Sequence, residues 1–294
     1  MHVQRENHAI AKLCAVLEVS RQGYYKWLDR TKVPTPTPTK QKRVRLLQRI
    51  LEIFEESRET YGSPRIYDQL RLEGFSCGHN TVERLMRQHG ISPRLKRKFR
   101  NTTDSKHDLP IAPNVLSREF IAEEPDEVWV SDITYIATGQ GWLYLCVFVD
   151  LFSRMVVGWS LSSDMKADFV VDAFQTGVGR RGRAPIVVHS DRGSQYASDM
   201  FRAELTRHDC IQSMSRRANC WDNAVAESWF ATLKTELIFR NSYKSRIEAS
   251  TAIFDYIEIF YNKRRRHSTL GFLTPEEKVQ KGQKGRQATQ SDCA

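Results

Sequence analysis

Apolar residues recur along this chain with two different periods, and the changes of period divide it. Near the start, Ile10, Leu13, Cys14 and Leu17 return at helical spacing, and Val19-Ser20 supplies a turn and a cap for RQGYYKWL. This pattern predicts a short helix-turn-helix-like module over 1–30. TKVPTPTPTK, at 31–40, alternates Thr with Pro. Proline removes backbone donors and fixes its own φ, so the stretch predicts an extended linker. Helical spacing resumes in KRVRLLQRILEIFEES, apolar at 46, 47, 50, 51 and 54, and continues through TYGSPRIYDQLRLEG and HNTVERLMRQHG, with Gly74 and Gly90 as stops. Three short helices followed by RLKRKFR predict a second helix-turn-helix domain over 41–100, with HNTVERLMRQHG as its recognition helix and His79, Asn80, Arg84 and Arg87 exposed on it.

Residues 101–124 are polar, contain proline and show no period, which predicts a second linker. Strand-like composition begins after it. Residues 126–137 form a β-rich run ending in the turn Thr138-Gly139-Gln140-Gly141, and WLYLCVFVDLFS and RMVVGWSLSSD are two further strands. KADFVVDAFQTGV is a helix with Phe169, Val170, Ala173 and Phe174 as its apolar stripe; IVVHSD is a fourth strand, SDMFRAELTRHD a helix and IQSMS a short fifth strand. Three consecutive hairpin-linked strands predict an antiparallel start to the sheet. A helix follows around DNAVAESWFATLKTE, with Val225, Trp229 and Leu233 at i, i+4, i+8 and Asp222 as its expected cap. A further amphipathic helix is expected over 243–262, and the last twenty or so residues are polar and expected to be disordered.

Composition narrows the class. The 294 residues carry a net charge of +10, with 40% hydrophobic residues. The charge clusters in RLKRKFR and KRRRH, which favours a polyanionic partner. No apolar run is long enough to span a membrane, and MHVQRENHAI has no apolar region of a signal peptide, so a cytoplasmic protein is expected. Six cysteines are scattered without CxxC pairs, which argues against a zinc ribbon and for free thiols. His189 and Cys220 lie near the acidic motifs but are assigned no direct chemistry.

Three acids carry the chemistry: Asp132 in WVSDITY, Asp191 in HSDRGSQY and Glu227 in DNAVAESWF. Taken singly, an Asp at a strand end is more often a turn former, and a Glu on a helix a solvated residue. As a set the contexts favour catalysis. Asp132 is a polar residue on an otherwise buried strand, which is costly unless it meets a cation. Asp191 follows an apolar strand, where ligand sites in α/β sheets gather. Glu227 and Lys234 lie two turns apart on one helix face. Converging carboxylates make a hard oxygen site for Mg²⁺ or Mn²⁺, and two such ions can clamp the attacking and leaving oxygens of a phosphodiester displacement. Lys234, Gln195 and Asn223 are candidates to hold phosphate or a terminal nucleotide, with Arg192 a weaker one. Arg84, Arg87, Arg97, Lys98, Arg100, Arg264 and Arg265 are the further DNA-binding candidates.

The segments WVSDITYI, GWLYLCVFVDLFSRMVVGW, HSDRGSQY, DNAVAESWFATLKTE and YNKRRRHSTLGFLTP, with VSRQGYYKW and YGSPRIYDQL upstream, resemble the catalytic-frame (OrfB) product of insertion-sequence-three transposases. Together they cover nearly the whole chain. The resemblance implies an α/β ribonuclease-H-like core, a five-stranded mixed sheet with flanking helices, preceded by small all-α helix-turn-helix domains. It also implies a retroviral-integrase-like DDE enzyme, with Asp132, Asp191 and Glu227 as metal ligands for strand cleavage and transfer. The expected domains are then 1–30, linker 31–40, 41–100, linker 101–124, a catalytic core at 125–240, a C-terminal helix and basic segment at 241–275, and a tail at 276–294. The implied partners are element and target DNA, further copies of the chain, and an upstream-frame (OrfA) fusion or partner. The rivals are a DNA-binding repressor and a simple hydrolytic nuclease; modules on both sides of the core favour joining over hydrolysis.

Overall fold

The computed structural model describes residues 8–32, 37–93, 109–116, 121–216 and 220–291. The chain divides into two compact units, residues 1–52 and 53–294. In the first, α1 (Ile10–Val16) and α2 (Arg21–Lys32) form a hairpin around Cys14, Tyr24 and Leu28, with Ile10 packed against them. Helix α3 (Pro38–Glu56) starts inside the Thr-Pro stretch, because proline is tolerated in a helix's first turn. The linker expected over 31–40 is therefore shorter, since α2 runs to Lys32.

The second unit holds everything after Glu52. Helices α4 (Ser63–Leu72) and α5 (His79–Gln88) bury Ile66, Leu70, Val82, Leu85 and Met86. They are not an independent body. Tyr61 donates its hydroxyl to the Arg264 carbonyl, and Arg266 donates to Gln69. The division of the chain inside α3 thus differs from the boundary expected at 41–100, because the C-terminal basic segment packs on α4.

The sheet has the order β3-β2-β1-β4-β5, from β1 (Val128–Thr138), β2 (Gly141–Asp150), β3 (Val156–Ser162), β4 (Val187–Ser190) and β5 (Ile211–Met214). The first three strands pair antiparallel as hairpin neighbours, while β4 and β5 join in parallel. One face packs on α6 (Asp168–Arg181) and α7 (Asp199–Arg207) through Trp129, Phe148, Phe174 and Phe201. The other packs on α8 (Ala224–Glu236), α9 (Arg246–Phe254) and a π-helical turn, Asp255–Tyr261, through Val147, Val149, Trp229, Leu233, Tyr256 and Phe260. Gly158 lets α6 press onto β3: a Cβ there would lie 2.2 Å from the Ala173 carbonyl oxygen. The helix expected over 243–262 is α9 plus that π turn.

Two expectations are corrected. Part of the segment read as linker 101–124 is packed: Leu116 is buried, and the backbone N–H groups of Val115 and Leu116 both donate to Ser213 Oγ on β5. The tail read as disordered begins as α10 (Pro275–Ser291). Thr274 and Glu277 form a reciprocal capping box, each side chain accepting the other's backbone N–H, and Val279 is buried.

Candidate active site

The three acids come from two neighbouring strands of the sheet and from a helix packed on one of its faces. Asp132 lies in the middle of β1, Asp191 follows the last residue of β4, and Glu227 is in the first turn of α8. β1 and β4 are parallel neighbours, registered Val130 to His189, so both aspartates sit beyond the same end of the paired segment. Asp191 caps its own tight turn: its Oδ1 accepts the Gly193 N–H at 2.9 Å. A Cβ at Gly193 would come within 3.1 Å of that oxygen, so the glycine is what lets the turn close.

The carboxylates feel one another. Burial pushes the Asp132 carboxyl well above its usual range, the Asp191 charge adds to this, and Glu227 adds further; the Ile133 N–H and the Lys234 ammonium pull the other way. Glu227 is raised by burial and by Asp191. Such mutual repulsion marks a site short of positive charge. Hard oxygen donors with excess negative charge fit a divalent cation. Among the described residues, no group of three or more His, Cys, Asp or Glu side chains stands at metal-holding spacing.

The turn Cys220–Asn223, just before α8, ties the three elements together. The Asp222 carbonyl accepts from His189 Nε2 at 2.7 Å, two residues before Asp191. Asn223 Nδ2 donates to the Ser131 carbonyl at 3.1 Å, one residue before Asp132. His189 is buried, and burial lowers its pKa. Its Nε2 must carry the proton to serve the carbonyl, so Nδ1 accepts from Ser213 Oγ at 2.8 Å. Ser213 in turn takes the N–H groups of Val115 and Leu116. The residue at the cap of α8 is Asn223 rather than the expected Asp222, whose carboxylate accepts from Asn114 and is paired with Arg216. Sequence reading missed this bracket because its partners are 24 to 108 residues apart.

The other candidates separate by exposure. Lys234 is half-buried, 5.9 Å from the centre of the Tyr135 ring. Gln195 donates to the Met165 carbonyl, and Arg192 to the Ser215 carbonyl. Asn223 is buried and donates one amide hydrogen to the Ser131 carbonyl, so the structure gives it a role in holding α8 to β1 rather than an exposed position for phosphate. Arg265 is corrected. It is buried in a bidentate pair with Glu236 of α8, while Arg264 is exposed. Along the basic run Lys263 and Arg264 are exposed while Arg265 and Arg266 are buried, and charge alone does not reveal which pair faces the core. Arg84 and Arg87 are exposed on α5. Arg97, Lys98 and Arg100 lie outside the described residues, as does the Cys220 side chain.

A five-stranded mixed sheet with this order and helices on both faces defines the ribonuclease-H-like fold of polynucleotidyl transferases. Comparison with known proteins agrees. Integrase core domain families match residues 122–220 and 208–275, and an HTH-like domain family matches residues 41–99. Transposase InsF for insertion sequence IS3A of Escherichia coli strain K12 is 41% identical over 271 residues, 92% of this chain and 93% of that one. The insertion element IS600 uncharacterized 31 kDa protein of Shigella sonnei is 40% identical over 264 residues, 90% of this chain and 96% of that one. Among solved structures, the magnesium complex of the HTLV-2 integrase catalytic core (dimeric form) is similar at TM-score 0.43 and 18% identity, covering 53% of this chain and 98% of that one. A simian T-cell lymphotropic virus intasome with PP2A regulatory subunit B56 gamma is similar at TM-score 0.45 and 16% identity, covering 72% and 69%. The chain belongs to the IS3 family of transposases.

Proposed function

We propose that Asp132, Asp191 and Glu227 are the catalytic carboxylates of DNA strand cleavage and strand transfer, and that they hold Mg²⁺ or Mn²⁺, as two ions. The observation that carries this is the placement of Asp132 and Asp191 at the same end of the parallel neighbours β1 and β4, with Glu227 in the first turn of α8, and each acid's charge acts on the others in the direction expected of neighbours. Asp132, Asp191 and Glu227 would hold the metal, which would supply neutralisation of the phosphodiester charge and a lowered pKa for an attacking water. The chain's own residues position the rest. The Asp222-Asn223 turn keeps α8 in step with β1 and β4, so that Glu227 stays opposite the aspartates. Lys234 supplies a cation for a phosphate oxygen, and Gln195 retains a second amide hydrogen for the same purpose. No covalent protein–DNA bond is needed, since water and then a DNA 3′-hydroxyl serve as nucleophiles.

Residues 41–100 are assigned to DNA binding, with Asn80, Arg84 and Arg87 of α5 and the run containing Arg97, Lys98 and Arg100. Arg264 adds an exposed cation from the C-terminal segment. Joining two element ends calls for more than one copy of the chain, with an upstream-frame (OrfA) product fused to it or bound beside it. Such a protein works in the cytoplasm, at the nucleoid; among the described residues no helix is long and apolar enough to cross a membrane.

The test is strand joining by the purified chain on DNA carrying the ends that flank its gene, with Mg²⁺, beside Asp191→Asn. Joined product from the unmutated chain alone is expected, with binding nearly equal in both, because the amide keeps the shape and loses the anion. Metal-dependent cleavage retained by Asp191→Asn would sink the assignment. Cut but unjoined ends would favour the hydrolytic nuclease.

A further inference from the structure

Beyond the acids, the turn end of the β1–β2 hairpin carries an exposed aromatic surface. In the β1–β2 register Tyr135 faces Tyr144 and Ala137 faces Trp142, so Tyr135 and Trp142 share one face of the ribbon. Both are exposed, at 38% and 49%. Their rings meet edge to face, with centroids 4.9 Å apart and planes at 82°. An edge-to-face pair covers one face of one ring, so flat aromatic surface stays exposed to a third ring.

One cation stands beside the pair, and two more lie at the hairpin's turn end. Lys234 of α8 stands 5.9 Å from the Tyr135 centroid and also acts electrostatically on Asp132. Arg246 Nε donates to the Trp142 carbonyl, and a Cβ on Gly141 would come within 3.3 Å of its guanidinium. Lys244 packs its backbone against Gly139 at the hairpin turn, and its side chain is exposed. One acid, Glu248, lies in the same turn, where its carboxylate accepts the Lys244 N–H. Two exposed aromatic rings, with Lys234 beside one of them and Arg246 and Lys244 at the adjoining turn, form a surface for an unpaired base on a phosphate backbone. A packing role alone does not account for it, because large aromatic rings held by the core are buried, as Trp129 and Phe148 are. Asp132 and Tyr135 leave β1 on opposite faces, but β4 pairs with β1 only as far as Val130, and Lys234, beside the Tyr135 ring and acting on Asp132, joins the surface to the acids around that edge.

We infer that Tyr135 and Trp142 form a stacking site for an unpaired DNA base next to the reacting strand, with Lys234, Lys244 and Arg246 holding its phosphates. This rests on the strand-transfer reading and names the form of DNA that site takes, a strand unpaired near its end. Stacking tolerates any base, because every base has a flat π face. It therefore contributes affinity for unpaired DNA without selecting sequence.

The experiment is a metal-free titration, in EDTA, of the full chain with a fluorescein-labelled single-stranded deoxythymidine oligonucleotide and with a blunt duplex of equal length. The unmutated chain, Trp142→Ala, Tyr135→Ala and Trp142→Phe are compared, each checked for an unchanged thermal melt. Trp142→Ala is expected to weaken single-strand binding about tenfold, roughly 1.4 kcal/mol, with duplex binding changed less than about twofold, and Trp142→Phe to recover most of the loss. Equal losses on both DNAs, or none on the single strand, would overturn the stacking site. No cleavage enters this titration, so its failure leaves the three acids' assignment intact. Conversely, joining retained by Asp191→Asn would remove that assignment and leave single-strand stacking standing.

Discussion

At the scale of single residues, the carboxylate cluster is destabilised by its own charge. Asp132 has its pKa raised in the folded chain, first by burial and then by Asp191. A raised folded pKa means that the ionised form, present above the unfolded pKa near 4, costs stability at neutral pH. Asp132→Asn should therefore raise Tm in EDTA, by about 2–4 °C for each kcal/mol relieved. Mg²⁺ should stabilise the unmutated chain by binding its folded form, and the variant far less. Thermal melts with and without Mg²⁺ check both signs; a lower Tm for the variant in EDTA would mean that hydrogen bonds, not repulsion, dominate at Asp132. The acids themselves were legible in the sequence because a charged residue on an apolar strand is conspicuous. The roles of Asn223 and Arg265 were not, since their side chains are buried by partners far along the chain, Ser131 and Glu236.

At the scale of elements, α8 is fixed at both ends. Its first turn is held by Asn223 to β1, and its last by Glu236, which accepts from Arg265 and from the Tyr256 hydroxyl. Arg265 and Glu236 are both nearly inaccessible, at 6% and 4% of their side-chain surface. Beside them His267 is held neutral, its pKa lowered to about 2 by burial and by the Arg265 charge. Breaking a buried pair from one side leaves a stranded charge, so Arg265→Met should cost about 3–5 kcal/mol. The double variant Arg265→Met, Glu236→Leu should recover most of that loss, because two apolar groups need no partners. Denaturant titration of the two variants reads the difference; equal destabilisation of single and double variants would mean that packing, not charge, holds the element. Helix and strand positions were largely legible from periodicity. The start of α10 was signalled by Thr274-Pro275-Glu276-Glu277, a capping pattern hidden inside a polar tail.

At the scale of the molecule, a net charge of +10 on 294 residues favours binding to phosphates without regard to sequence. Replacing Arg97, Lys98 and Arg100 with Ala should weaken binding on all DNAs and flatten its salt dependence, the slope of log K against log salt falling by about 0.9 for each phosphate no longer neutralised. Binding measured across a salt series checks this; an unchanged slope would remove the run from the interface. The division into units 1–52 and 53–294 was not legible. Composition pointed to the Thr-Pro stretch and to residues 101–124 as boundaries, yet α4 is bonded to the C-terminal segment through Tyr61 and Arg266.

By itself the sequence determined the order and kind of elements and the net charge, because period, turn residues and charge are local or additive properties, and its family resemblance pointed to the mixed sheet and to three acids as candidates. Tertiary structure alone decided which basic residues face outward, how the Asp222-Asn223 turn brackets β1, β4 and α8, and that Tyr135, Trp142 and Lys234 meet. Those depend on which distant segments share a surface, and burial turns an identical side chain from a DNA-facing group into a structural one.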